Sequence, residues 1–298
     1  MHPLIVAIGE VLWDEFPDGV RLGGAPANFA VHCAALGGRM TLVSRVGADA
    51  RGEETLVLLK GRGVDVTFVQ KDGASPTGRV RVALREGIPS FEIVEGVAWD
   101  ALAWEERLQG LAMAADVVCF GTLGQRSAMS RETVSRFLEE TRPGCLKVLD
   151  INFRQHFHSE GVVRESLRLT DVLKLSDEEV PILRDHLGGP EDEEEFLSMV
   201  RDRFGIETVV LTLGAKGCRV IGPEGDFESP TTPHNVVNTV GAGDAFTAAY
   251  ILHRLAGHDA RTCACEANRV GGYVTTQNSG TPALPGEFRD SGPNAPLG

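Results

Sequence analysis

The segment Asn238-Thr239-Val240-Gly241-Ala242-Gly243-Asp244-Ala245-Phe246 runs straight into an apolar stretch with helical spacing over 247–256. Two glycines at a helix start let a ligand come close to the backbone, and the first free N–H groups of the helix point outward with about half a positive charge behind them. Such a start cradles an anion. Asp244 falls in the first helical turn, where an acidic side chain suits the helix dipole and can serve stability alone. Beside a cradle for a transferring phosphate, the same carboxylate suits a general base that takes the proton of an incoming hydroxyl. A second segment, Leu22-Gly23-Gly24-Ala25-Pro26-Ala27-Asn28-Phe29-Ala30, joins a double glycine to a proline at a helix start and an Asn in its first turn. Read plainly, this is a turn and a Pro-started helix. Read for chemistry, Gly23 and Gly24 permit close backbone approach, and Asn28 offers donor and acceptor to a polyol.

Other chemistries find no residues to carry them. The third glycine of a dinucleotide fingerprint is missing from the late Gly241-Ala242-Gly243, and no Gly-Lys dipeptide exists for a Walker A loop. His156-x-His158 lacks a third ligand at a sensible spacing and reads as a pair of loop histidines, while Cys263-x-Cys265 on a helix cannot turn both sulfurs to one ion. Neither Gly-x-Ser-x-Gly nor His-Glu-x-x-His is present, so hydrolase readings fall away.

Positioning the two segments falls to short β-branched runs at 4–8, 40–46, 116–121, 146–151, 171–175 and 207–213. Helices are predicted over 26–36, 51–62, 129–141, 160–168, 177–187, 191–204, 242–256 and 259–277 from apolar spacings of three and four. This alternation implies an α/β fold: a doubly wound, mostly parallel sheet with helices on both faces and ligands beyond the carboxyl ends of the strands. Two runs break the rhythm. Arg79-Val80-Arg81-Val82-Ala83-Leu84-Arg85 and Phe91-Glu92-Ile93-Val94-Glu95 alternate charged with apolar residues around Gly87 and Pro89. They predict a small antiparallel β lid drawing on about 11–22 and 75–96. Its apolar face, Val80, Val82 and Leu84 against Phe91 and Ile93, is too small to stand alone in water and must be covered by an active-site mouth or another subunit. The expectation is one domain over 1–288 and a frayed tail over 289–298.

Composition bounds the partners. The 298 residues carry 29 Lys+Arg against 42 Asp+Glu, a net charge of −13 without any Lys/Arg-rich run, which argues against nucleic acid. The 35 glycines and 6% aromatics suit tight βα turns around a core of Val, Leu, Ala and Ile. Six scattered cysteines read as small buried thiols of a reducing, cytoplasmic setting. The run Leu4-Ile5-Val6-Ala7-Ile8 stops at Gly9 with no basic segment before it and reads as a buried strand, not a signal peptide. Nothing nears the ~18 uninterrupted apolar residues of a membrane span, so no membrane partner is expected.

Gly-Gly-Ala-Pro-Ala-Asn at 23–28 and Gly-Ala-Gly-Asp at 241–244 resemble, in this order and separation, the two signatures of the ribokinase-like carbohydrate kinases, the PfkB group. Further matches span roughly 4–287: Gly9-Glu10 with Asp14, Gly47 with Asp49 and Gly52, Asp150 with Asn152 and Arg154, Lys174-Leu175 with Glu178-Glu179, and Gly214-Ala215-Lys216-Gly217. The resemblance implies an ATP- and Mg²⁺-dependent sugar kinase in which Asp244 activates the sugar hydroxyl and Gly241, Ala242 and Gly243 present N–H groups to the γ-phosphoryl charge. It implies sugar contacts from Asp14, Gly24, Asn28 and Arg154, with Phe91 on the lid above them. Ser176, Thr212, Gly214, Lys216, Gly217 and Asn268 would line the nucleotide side, with Glu179 organising Mg²⁺ through water. A homodimer with its two lids in contact is implied as well.

Two positions depart from the family pattern. Ser176 stands where an Asn is usual, which alters the Mg²⁺-water network, and Asn238 stands where an Asp linked to a monovalent cation is frequent, which argues against K⁺ activation. Pro89-Ser90-Phe91-Glu92-Ile93, Ala98-Trp99-Asp100 and Asn152-Phe153-Arg154-Gln155 are similar to bacterial fructokinase-type members, and the Tyr-Tyr-Arg lid motif of the 2-keto-3-deoxygluconate kinases is absent. The resemblance therefore implies a neutral ketose phosphorylated at its 6-hydroxyl. The alternatives are ribose, 2-keto-3-deoxygluconate, or a fructose phosphate clamped by Arg79 and Arg81. A catalytically idle sugar or nucleotide sensor on the same fold is the reading from another class, and a nicotinamide oxidoreductase lacks its fingerprint.

Overall fold

The computed structural model describes residues 2–16, 19–85 and 88–290, with the side chains of 82–91 and 290 outside the described part. The first strands are β1 (Leu4–Ile8), β2 (Leu12–Phe16), β3 (Gly19–Gly23), β4 (Arg39–Gly47), β5 (Val69–Asp72), β6 (Gly78–Arg85) and β7 (Ile88–Ile93). They are followed by β8 (Val117–Phe120), β9 (Leu146–Asp150), β10 (Val172–Ser176), β11 (Thr208–Thr212), β12 (Cys218–Gly222) and β13 (Gly225–Ser229). The helices are α1 (Ala25–Ala35), α2 (Ala50–Gly61), α3 (Glu106–Ala114), α4 (Ala128–Glu139), α5 (Glu160–Arg168), α6 (Glu179–Leu187), α7 (Glu193–Phe204), α8 (Ala242–Leu255), α9 (Ala260–Thr275) and α10 (Glu287–Asp290).

Nine strands form one sheet in the order β13-β12-β11-β10-β9-β8-β1-β4-β5. All pairings from β11 to β5 are parallel, and β12 and β13 add an antiparallel edge. Both faces are buried, so the central strands carry apolar residues at every position and divide them between two cores. In β1, Ile5 and Ala7 pack with α1, α8 and α9, while Leu4, Val6 and Ile8 pack with α3 to α7. This alternation also aims Asp150 and Lys174, in phase with Val148 and Val172, toward the α1/α8 side.

The expected doubly wound fold is present, with departures at its edges, among them the short strand β5, whose mixed Val-Gln-Lys-Asp sequence carries no strand pattern. The β12–β13 edge and α3 escape sequence reading because each is short and polar outside: β13 turns in little beyond Phe227 and Ser229, and α3 is interrupted by Gly110. The chain also stays docked past 288, since Phe288 is buried and Arg289 Nε donates to Ala35 O at 2.7 Å. The remainder of the expected tail, 291–298, lies outside the described residues.

A second sheet runs β3-β2-β6-β7. Its two hairpins are antiparallel, as expected, but β2 and β6 join them in parallel because both strands leave the same end of the main sheet. Asp14 pairs with Val80, and Val80 with Ile93, so these three share a face. Val80 and Ile93 bury themselves there on Leu12, Trp99 and Leu123. The lid's apolar root is thus covered by its own domain. Trp13 belongs to the opposite face and donates through Nε1 to Thr55 Oγ1 at 2.9 Å, which fastens the lid to α2.

Candidate active site

α8 begins without any side-chain cap. Its Gly241 has φ 80°, and a Cβ there would sit 2.0 Å from Gly280 O, so only glycine can occupy a turn pressed this closely against neighbouring backbone. Ala242 N–H donates to Thr239 O at 3.3 Å, whereas those of Gly243 and Asp244 have no partner among the described residues. Of the three N–H groups the sequence suggests, Ala242's is thus spent on the preceding turn, and the Asp244 N–H is open beside that of Gly243. Gly243 carries no unusual φ; its reason is Lys174, whose Nζ would lie 3.1 Å from an added Cβ.

Asp244 is half-buried at this helix end and accepts from Asn28 Nδ2 at 2.8 Å, which ties the first turns of α8 and α1 together. Burial first, then the Asp150 charge, pushes its carboxyl up to about 6, against the opposing pull of Asn28, Lys174 and Arg154. A carboxylate near its titration point at working pH is suited to accept a proton. Beneath it, Lys174 Nζ donates to Asp150 Oδ1 at 3.0 Å, and Thr247 Oγ1 donates to Asp150 Oδ2 at 3.2 Å. Burial works against the Lys174 charge, but Asp150, Glu179 and Asp244 outweigh it and hold the ammonium above the usual lysine range. The sequence offers Asp150 and Lys174 as separate matches to the family pattern; their pairing follows from β9 and β10 lying side by side in register.

Asp244, Asp150, Asn152, Glu10, Ala25, Pro26 and Phe29 line one cleft of about 330 Å³, part of it open to solvent. Asp14 lies at its lid side, against Gly23, with its carboxyl pushed up to about 6 by burial while Arg154 and Arg21 pull it down. Gly24, at φ 100°, brings the backbone of α1's start against Glu10 O. Arg154 rides on a loop with positive φ at Asn152 and Gln155, and its charge opposes the acids Glu10, Asp14 and Asp244 together. The side chain of Phe91 lies outside the described residues. The sequence marks Glu10 only as part of the Gly9-Glu10 match to the family pattern and gives it no role in the site.

The remaining candidates collect at the ends of β10 to β12. Thr212 Oγ1 donates to Leu175 O at 3.3 Å, and Gly214 to Gly217 form a tight turn closed by Leu213 N to Gly217 O at 2.8 Å. Asn268 is buried and spends its amide on Ser229 O at 2.8 Å, so it ties α9 to β13. Glu179 accepts from Phe153 N and Ser176 N, each at 2.8 Å, and thereby joins the Arg154 loop to the end of β10. No group of three or more His, Cys, Asp or Glu among the described residues forms a metal cage. With no protein cage, Mg²⁺ would have to arrive with the nucleotide phosphates, and Glu179 and Asp150 would be the acids to hold it through water. Asn238 Oδ1 accepts from Val240 N at 3.0 Å, shaping the turn ahead of Gly241. His158 bonds His186 at 2.8 Å, and Cys263 is buried while Cys265 is exposed, so neither sequence pair forms a metal site. Among the described residues no helix is long and apolar enough to cross a membrane.

A helix start with open N–H groups and a half-buried carboxylate, set beside a cleft at the strand ends of an α/β sheet, suits a small-molecule phosphotransferase. The model of the pfkB family of carbohydrate kinases matches residues 17–286, and the chain belongs to that family. A putative sugar kinase of Pyrococcus horikoshii is 33% identical over 301 residues, spanning 95% of this chain and 93% of its own. Its crystal structure in complex with ATP has a TM-score of 0.77 at 30% identity, covering 93% of this chain and 94% of that one. Probable fructokinase-5 of Arabidopsis thaliana is 30% identical over 312 residues, with 95% and 94% covered. A fructokinase structure from Vibrio cholerae with fructose, ADP and calcium bound has a TM-score of 0.80 at 26% identity, with 95% and 96% covered. The protein is an ATP-dependent carbohydrate kinase.

The two cradle glycines should fail differently. Gly241→Ala meets both left-handed backbone strain and the Gly280 carbonyl, and is expected to lower the melting temperature along with activity. Gly243→Ala meets only Lys174 and should fold normally while turnover drops. Thermal melts beside initial rates check this, and a melting temperature unchanged in Gly241→Ala contradicts it.

Proposed function

We propose that the enzyme transfers the γ-phosphoryl group of ATP to the 6-hydroxyl of fructose or a close relative, with Asp244 as general base. The observation that carries this reading is the half-buried Asp244 carboxylate, bonded to Asn28 at the start of α1 and placed beside the open N–H groups of α8. Asp244 accepts the hydroxyl proton as that oxygen forms its bond to the γ-phosphorus, and the bond from phosphorus to the β-phosphate oxygen breaks, releasing ADP. Gly243 and Asp244 N–H groups meet the charge on the transferring group, with the Lys174 ammonium behind them. Bound Mg²⁺ supplies neutralisation of phosphate charge. The exposed Val236, Val237 and Val240 on the approach to α8 offer an apolar surface to a purine ring.

A neutral ketose is supported by the acids Glu10, Asp14 and Asp244, which share Arg154 and disfavour an anionic acceptor. Arg79 and Arg81 share the lid face opposite to Asp14, which disfavours a phosphate clamp and hence a sugar-phosphate acceptor. Fructokinases among the relatives support the same reading. A coupled ADP-release assay over D-fructose, D-ribose, 2-keto-3-deoxygluconate and fructose 6-phosphate tests it. Fructose should give the highest kcat/KM, another leading sugar replaces it, and ATP binding without turnover on any sugar favours a sensor.

Asp244→Asn should keep ATP affinity and lower kcat by about 10²–10⁴. Because the base must be ionised, wild-type kcat/KM should fall as pH drops through about 6, and this acid limb should be lost from the residual activity of Asp244→Asn. An unchanged rate removes Asp244 from the mechanism.

Neutral Asn238 supports a Mg²⁺-dependent activity that responds weakly to K⁺. Stimulation of tenfold or more at fixed ionic strength, equivalent to about 1.4 kcal/mol, contradicts this. The lid's outer face, with Val20 exposed and Arg81 paired to Glu92 at 3.7 Å, supports a cytoplasmic homodimer joined lid to lid. Light scattering should give twice the monomer mass of 32.0 kDa, and a monomer at working concentration rejects the dimer.

A further inference from the structure

Glu10 follows the central strand β1 and is 2% exposed. Its two carboxylate oxygens have different fates. Oε1 accepts from Ala25 N at 3.3 Å, at the start of α1, the helix that carries Asn28. Oε2 is shut from bulk water, has no hydrogen-bond partner among the described residues, and lies beside Gly124, where an added Cβ would come within 3.1 Å of it. Pinning α1 therefore uses one oxygen and leaves the other unexplained. A buried acceptor without a partner is costly to folding, and natural proteins keep such groups where a ligand completes them.

That ligand is within reach. Glu10 lines the same cleft as Asp150, Asn152 and Asp244, and the enclosed space of this cleft has room for about one water molecule. Burial pushes the Glu10 carboxyl up to about 7, opposed by its own and the Ala25 backbone N–H groups and then by Arg154, and reinforced by Asp244, so near neutral pH it is able to accept from a hydroxyl or donate to one. Asp244 and Asn28 already engage each other and serve the reacting hydroxyl. Glu10 has no part in that step.

We infer that Glu10 is a specificity-determining residue of the acceptor pocket: its free Oε2 hydrogen-bonds a hydroxyl of the sugar other than the one phosphorylated, directly or through a single water. The inference rests on the sugar-kinase reading and is indifferent to which sugar leads the panel. A site built to bond a hydroxyl rejects the analogue lacking it, because the buried partner is then left unpaired.

The test compares wild type with Glu10→Ala on the best acceptor of the panel and on each of its monodeoxy analogues. For the parent sugar, Glu10→Ala should lower kcat/KM by about 10- to 100-fold, the range for a lost hydrogen bond to a charged group, with the KM for ATP unchanged. For one analogue the loss should vanish, so that the parent-to-deoxy ratio collapses in the variant. A role confined to pinning α1 lowers the melting temperature and penalises every analogue alike. Wild-type ratios retained for all monodeoxy sugars overturn the inference. Should Glu10→Ala not fold, Glu10→Gln, which keeps an acceptor for Ala25 N, is read the same way: the ratio should fall at least fivefold, and an unchanged ratio overturns the inference.

Discussion

The first turn of α8 must remain unsatisfied, and much of the structure serves that constraint. A helix start normally closes its free N–H groups with a side-chain cap, yet here none is present, and an anion can take that place. The end is instead fixed from outside. Gly241 packs its backbone on Gly280, and Gly280 is held in turn by His32 Nε2 at 2.9 Å. Burial keeps the His32 imidazole down at about 4, so it is neutral at working pH and adds no charge beneath the cradle. A rigid open end costs stability, and the packing of α8 between α1 and α9 over an apolar core compensates for it.

Charge around that end is distributed unequally. Asp150 and Lys174 compensate each other in the interior, with Thr247 completing the carboxylate, so the pair is fixed in place beneath α8. Glu10, Asp14 and Asp244 lack such full compensation; burial raises all three, and one Arg154 serves them together. The contrast divides scaffold from cleft. A buried ion pair with every oxygen used holds geometry, whereas carboxyls left near their titration points remain able to exchange protons and hydrogen bonds with a substrate.

The lid belongs to the same arrangement. Its inner face is anchored by Val80 and Ile93 on Trp99 and Leu123, and its outer face by Trp13 on Thr55. Arg126 stacks 4.0 Å from the Trp99 ring and pairs with Asp100, which stiffens the base on which the strands stand. Asp14 thus reaches the cleft from a strand fixed at its root on both sides.

Periodicity located the parallel strands except β5, and most helices, because strands buried on both faces must be apolar throughout and amphipathic helices must repeat every three to four residues. The Gly-Ala-Gly-Asp and Gly-Gly-Ala-Pro-Ala-Asn segments were legible for the same reason: a helix start that approaches a ligand restricts its residues to a few types. What the sequence could not determine was which polar groups meet. Glu10, Lys174 and Asn268 look alike on the page, as single polar residues beside apolar runs. Only the stacking of β1, β9 and β10 around α8 turns Lys174 onto Asp150, leaves Glu10 Oε2 unpaired in the cleft, and directs the Asn268 amide to Ser229. Local pattern reports which face of an element is buried. Partnership inside that face depends on register and strand order, which residues distant in the chain decide together.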